Sequence, residues 1–193
     1  MKGNNRNYLL IAAAISLTSL PLGSSLTRAA LSPIPTLMPD SNVKPSTWTI
    51  QPNTPQLMAR TTRSYNHQLV TLINAERQKV GAPPLKLNLK LTQAALRHSQ
   101  DMAINNFFDH TGSDGSEPET RIIATGYNCC RYSAENIAAG QSTPRAVVQA
   151  WLESPEHKEI MLNPNYTEVG FGYAYNAQSI LINYWTADFA QPF

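Results

Sequence analysis

The sequence predicts an α+β domain in which helices pack on a small antiparallel sheet. Three observations carry this. Ser64–Val80 and Leu89–Asn106 repeat apolar side chains every three or four residues, the period of a helix with one buried face. Thr143-Pro144 and Ser154-Pro155 are two successive helix starts, each a hydroxyl residue before a proline whose missing N–H does no harm there. Glu168–Tyr175 and Ser179–Phe189 are rich in β-branched and aromatic residues and flank Asn176-Ala177-Gln178, which reads as two strands and a turn. Helices first and a meander last is the α+β pattern.

A chain of 193 residues suits one domain with extensions. Its net charge of +2 and lack of a basic stripe exclude a nucleic-acid partner. Residues 1–30 read as an export signal: Lys2 and Arg6 precede the apolar run Tyr8–Leu22, and small residues lead to Ala29-Ala30. The run is short of the roughly twenty residues a spanning helix needs, so the expectation is cleavage, no membrane attachment afterwards, and a secreted, extracellular or periplasmic product. Residues 31–62 hold six of the fourteen prolines among Ser, Thr and Asn and read as a linker, with Trp48 and Ile50 as a weak docking-strand signal. The domain is expected over residues 63–193.

In the first helix Leu69, Leu72, Ile73, Glu76 and Val80 form the stripe, and Gly81 with Pro83-Pro84 ends it. His67 lies on this helix and reads as an ordinary surface or structural histidine. Asn88 caps the second helix, whose stripe is Leu91, Ala94, Ala95, His98, Met102 and Ile104; His98 reads as a packed side chain. Phe107-Phe108 then anchor Asp109-His110, so that His110 is held in place just past a helix end. Glu117–Thr125 reads as a short helix stopped by Gly126, with Arg121 as a surface charge or a carboxylate's partner. Tyr127–Ser133 reads as a loop. In Ala134–Gly140 an acid and an amide stand among small residues, and a buried Glu135 there needs a partner. Pro144–Glu153 turns Val147, Val148, Trp151 and Leu152 inward, and Pro155–Leu162 carries Glu156 and His157 in its first turn.

The two cysteines, Cys129 and Cys130, are adjacent. Neighbouring Cα atoms stand about 3.8 Å apart across a trans peptide, whereas disulfides prefer roughly 4.4 Å or more. Free thiols, an intermolecular bridge, a strained redox-labile ring, or two small residues in a buried loop all stay open. As a metal signal the pair alone is weak.

Taken in order, several segments between Tyr65 and Phe189 resemble the CAP superfamily of cysteine-rich secretory, antigen 5 and pathogenesis-related proteins, and most of all its bacterial secreted (SCP-like) branch. They are Leu72-Ile73-Asn74-Ala75-Glu76-Arg77, Asp101-Met102-Ala103, Phe108-Asp109-His110, Glu135-Asn136-Ile137-Ala138, Trp151 with Ser154-Pro155-Glu156-His157, and Asn163–Gly170. The resemblance implies an α-β-α sandwich with an open cleft lined by two histidines and two acids, which in several members bind a divalent metal. Carried over by motif, the histidines are His110 and His157 and the first acid is Glu135. The second is Glu156 or Glu153, with Glu156 preferred. Ala134 stands where the family usually has Gly, and the several disulfides of animal and plant members are missing.

Imidazoles suit zinc, and carboxylates complete a shell or orient a bound water. Three functional readings follow: a secreted, metal-dependent cleft that binds an extended lipid, glycan or peptide; a metal-assisted hydrolase of peptide or cell wall; or a histidine–glutamate network that only ties helices to sheet. No Gly-x-Ser-x-Gly elbow or His-Glu-x-x-His helix is present.

Overall fold

A computed structural model describes residues 55–193. The segment read as an export signal, the stretch read as linker up to residue 54, and with it Trp48 and Ile50, lie outside the described residues. The elements run α1 (Pro55–Lys79), β1 (Lys86–Leu87), α2 (Leu89–Asn105), α3 (Pro118–Ala124), β2 (Tyr132–Ala139), α4 (Pro144–Glu153), α5 (Pro155–Leu162), β3 (Glu168–Tyr175) and β4 (Asn183–Gln191). The sheet order is β1-β3-β4-β2.

The pleat separates two cores, because alternate residues point to opposite faces. One face carries Val169, Phe171 and Tyr173 of β3 paired with Phe189, Ala187 and Trp185 of β4. Leu69 and Ile73 of α1, Val147, Val148 and Trp151 of α4, and Met161 of α5 cover it. Each large apolar side chain removed from water there contributes roughly 1.5–3 kcal/mol. The other face carries Gly170, Gly172 and Ala174 opposite Asp188, Thr186 and Tyr184. Here α2 lies directly on the sheet: a Cβ at Gly170 would collide with the backbone of Leu91 and Thr92, and one at Gly172 with that of Ala95 and Leu96. Helices α1, α4 and α5 on one side and α2 and α3 on the other make the α-β-α sandwich.

Arg77 joins α1 to the α5–β3 connection. Its buried guanidinium donates to four backbone carbonyls, Nε to Pro83 (2.8 Å), Nη1 to Met161 and Asn163 (2.9 Å each) and Nη2 to Tyr166 (3.0 Å). Few other side chains present enough rigid donors to satisfy so many turn carbonyls at once. Among the described residues, no helix is long and apolar enough to cross a membrane.

The expected bounds of α4, α5 and β3 are those observed. Several other expectations need correction. The sheet is mixed, since β1 pairs with β3 in parallel. Helix α1 already begins at Pro55, inside the stretch read as linker, and Thr54-Pro55 is in sequence one more hydroxyl-then-proline start. Val80 lies beyond α1 and Ile104 faces out of α2, at 59% and 74% exposed. Strand β2 begins at Tyr132, so Tyr132 and Ser133 of the expected loop are strand, and Ala134–Ala139, given no element from sequence, continues it. β4 starts at Asn183, because Ile182 takes a left-handed φ of 63° and breaks the ladder, leaving Ile180 and Ile182 exposed in a longer connection.

Candidate functional site: a cleft at the sheet edge

β2 is an outer strand of the sheet, paired with β4 from Tyr132↔Gln191 to Ala139↔Tyr184. Its pleat sends consecutive residues to opposite faces, and two neighbours use this to position two histidines. Glu135 faces α2 and α3, and its Oε1 accepts from His110 Nδ1 at 2.7 Å. Asn136 faces α5, and its Nδ2 donates to the backbone carbonyl of His157 at 3.0 Å. Histidines 25 and 21 residues away, on the two flanks, are thus referred to one dipeptide.

Glu135 is fully committed. Its other oxygen, Oε2, accepts from Arg121 Nη2 at 2.7 Å, and the two side chains are 1% and 2% exposed. Arg121 also donates to the carbonyls of Ser116 (2.6 Å) and His110 (2.9 Å), locking the loop that carries His110. Burial pushes the Glu135 pKa up, but the His110 hydrogen bond and the nearby positive charges outweigh it and hold the group below the ordinary carboxylate range. An ionised Glu135 fixes His110 as the Nδ1–H tautomer, which puts the lone pair on Nε2. Of the two sequence readings of Arg121, a surface charge or a carboxylate's partner, the structure shows the second: it is the buried counter-ion of Glu135.

On the α5 side His157, next to the lining residue Glu156 but buried and not itself among the lining residues, sets its Nδ1 2.9 Å from Ser154 Oγ. The Ser154 hydroxyl makes this contact in place of a side-chain cap on α5, so the expected cap is corrected: the residue keeps its cap position and its hydroxyl serves the ring. Burial first and the charge of His110 second lower the His157 pKa, Glu156 acting against them. The ring is accordingly neutral at pH 7.

Between the walls lies a cleft of about 570 Å³, lined by His110, Glu135 and Glu119 on one side and by Glu156, Glu159 and Tyr166 on the other. Glu156 is thus at the cleft. Glu153 is not among the lining residues; it is exposed and accepts from Gln149 Nε2 at 2.8 Å. His98, expected as a packed side chain, is one: it is wholly buried and its Nε2 is 2.8 Å from the Asp109 carbonyl and 3.8 Å from Glu135 Oε1.

Sequence reasoning missed Asp188, the cross-strand partner of Glu135. It is 1% exposed, and neither oxygen has a hydrogen-bond partner in good geometry. Burial, and then the charge of Glu135, raise its pKa well above the usual value, and a protonated Asp188 can donate to Glu135. An acid facing a packed helix in a central strand was the available signal.

As a metal centre the donor set is limited. Glu135 has both oxygens engaged, so it orients His110 in the way a carboxylate behind a ligating imidazole does. With Nδ1 of each ring engaged, an ion in this site would be met by Nε2 of His110 and Nε2 of His157. Among the described residues, one group of three metal-capable side chains has its donor atoms within 4.8 Å of one another, and it includes neither histidine: Glu119, Cys129 and Cys130. The two cysteines are bonded to each other.

The comparisons agree with this architecture. The family model of the CAP, cysteine-rich secretory protein family matches residues 70–189. The chain is 39% identical over 126 residues to the uncharacterized protein YkwD of Bacillus subtilis, covering 65% of this chain and 47% of that protein. It is 32% identical over 105 residues to the uncharacterized membrane protein YlbC of the same organism, covering 54% and 30%. The chain thus spans half or less of the curated relatives it matches. A solved extracellular protein containing an SCP domain from Bacillus anthracis superposes with a TM-score of 0.65 at 28% identity, over 72% of this chain and 44% of that one. An outer surface protein from Borrelia burgdorferi shares the fold, with a TM-score of 0.60 at 24% identity over 68% of this chain and 96% of that one. With a family model covering the sheet, the cleft and both histidines, the chain belongs to the CAP, cysteine-rich secretory protein family.

Proposed function

We propose that this is an exported protein whose cleft holds a divalent metal, zinc by donor type, between His110 and His157 and uses it to bind an extended lipid, glycan or peptide at the cell envelope. The observation that carries the reading is that both imidazoles are held through Nδ1, on Glu135 and on Ser154, so that Nε2 is the nitrogen each would turn to an ion. Two protein nitrogens leave positions for an incoming group, and about 570 Å³ of cleft leaves room for it. Export is supported by the basic-then-apolar N-terminal segment and by the description of the Bacillus anthracis relative as extracellular.

Zinc titration calorimetry on the full, oxidised chain tests this. One zinc per chain, absent from His110→Ala/His157→Ala with the fold intact by circular dichroism, is the expected result; equal binding by both proteins overturns it. Glu156 on the cleft wall favours a second reading, metal-assisted hydrolysis, in which it takes up a proton. Turnover of an envelope peptide or cell-wall fragment, lost in Glu156→Gln with zinc retained, would select that reading.

A further inference from the structure

At the rim of the cleft, Cys129 and Cys130 serve neither histidine. We propose that Cys129, Cys130 and Glu119 form a redox-gated site for one thiophilic divalent cation of the zinc class. Their donor atoms lie within 4.8 Å of one another. Zinc takes thiolate at about 2.3 Å and carboxylate at about 2.0–2.2 Å, so ligands on one tetrahedral ion stand roughly 3.3–3.8 Å apart. Small side-chain adjustments close the set around an ion. The cysteines are half-buried and Glu119 is exposed, so a cation reaches them from solvent.

The scaffold beneath is firm. Both cysteines pack on the cluster of Leu91, Ala94, Ile122, Tyr127 and Ala190, and Arg131 N–H donates to the Gln191 carbonyl at 2.7 Å where β2 begins. Glu119 and Ile122 of α3 also line the cleft, so an ion bound here sits at its rim, apart from His110 and His157.

The gate is the bond between the two sulfurs. While it exists there is no thiolate to ligate. Adjacent residues hold their Cα atoms closer than a disulfide prefers, which makes such a bond readily reduced. A dithiol reductant donates two electrons and two protons: the Cys129–Cys130 bond breaks, two thiols form, and the reductant becomes a cyclic disulfide. A divalent cation then displaces both thiol protons and binds two thiolates and the Glu119 carboxylate, leaving a fourth position open.

The test is zinc titration of the full chain, oxidised and after dithiol reduction, with thiols counted chemically, in both the native and the His110→Ala/His157→Ala background. Reduction is expected to expose two thiols and add one zinc per chain in either background, with about two protons released per added zinc at a pH below the thiol pKa. Cys129→Ser/Cys130→Ser is expected to lose the added zinc, and Glu119→Gln to weaken it by about tenfold or more. Two thiols without added zinc, added zinc that Glu119→Gln leaves unchanged, or a bond that dithiol does not reduce would each overturn the proposal. The histidine-deficient background keeps this result separate from that of the cleft site.

Discussion

Replacing Arg121 by Met tests whether the Glu135 network is a single buried unit. The substitution keeps much of the stem volume and removes the charge. It deletes donors to Glu135 Oε2, to the His110 carbonyl and to the Ser116 carbonyl. Glu135 is then an almost fully buried carboxylate beside Asp188, with its cation gone. Removing one partner of a buried pair costs about 3–5 kcal/mol, and a lost carbonyl partner about 1–3 kcal/mol where the carbonyl stays dry. These losses share one side chain and do not add, so about 3–5 kcal/mol is expected, read as a lower urea midpoint at unchanged m-value. For a chain of this size that is a fall in Tm of roughly 6–20 °C. Adding Glu135→Gln to Arg121→Met removes the orphaned charge, so the double variant should lose less than the two single losses combined. A loss below about 1 kcal/mol, or strictly additive single losses, would refute a buried, coupled pair.

Arg77→Met should be about as costly, roughly 3–5 kcal/mol by urea denaturation, because four backbone carbonyls lose a charged donor together. Gly172→Ala should prevent α2 from seating on β3, seen as loss of the cooperative thermal transition or a destabilisation above about 3 kcal/mol, whereas Gly81→Ala, where open space surrounds the added carbon, should act only through its left-handed φ of 72°. Asp188→Asn should stabilise the protein at pH 8 and do little near pH 4. The folded-state pKa of Asp188 is raised, so between about 3.8 and that pKa the native state holds a proton the unfolded chain has lost, and stability falls as pH rises; the variant should flatten that limb of a stability–pH curve. His157 has the opposite signature: its lowered pKa makes stability fall as pH drops below about 6.5, and His157→Asn should remove part of that slope.

How far the sequence could be read follows from which signals were local. Thr143-Pro144 and Ser154-Pro155 mark α4 and α5 to the residue because a cap and a proline act on their own backbone. β2 carried no such mark: Ala-Glu-Asn-Ile-Ala-Ala has low strand propensity, and its strand character comes from pairing with the distant β4. Ile180 and Ile182 looked like strand by composition but sit in a connection bent by the left-handed Ile182. At the site, His110, Glu135, Glu156 and His157 came from motif resemblance. The physical roles did not: a charge on a seven-residue helix looks solvated until Arg121 is seen beneath Glu135, and Asp188 becomes visible only through its register.

The central claim is that both imidazoles are held through Nδ1 so as to offer Nε2 to one ion. Nitrogen-15 spectra of the histidine rings, recorded while zinc is added to the oxidised chain, test it most directly. The account predicts that the Nε2 resonances of His110 and His157 shift together to full effect at one equivalent while both Nδ1 atoms stay protonated. Movement of only one ring, or ligation through Nδ1 with loss of the Glu135 contact, would contradict it.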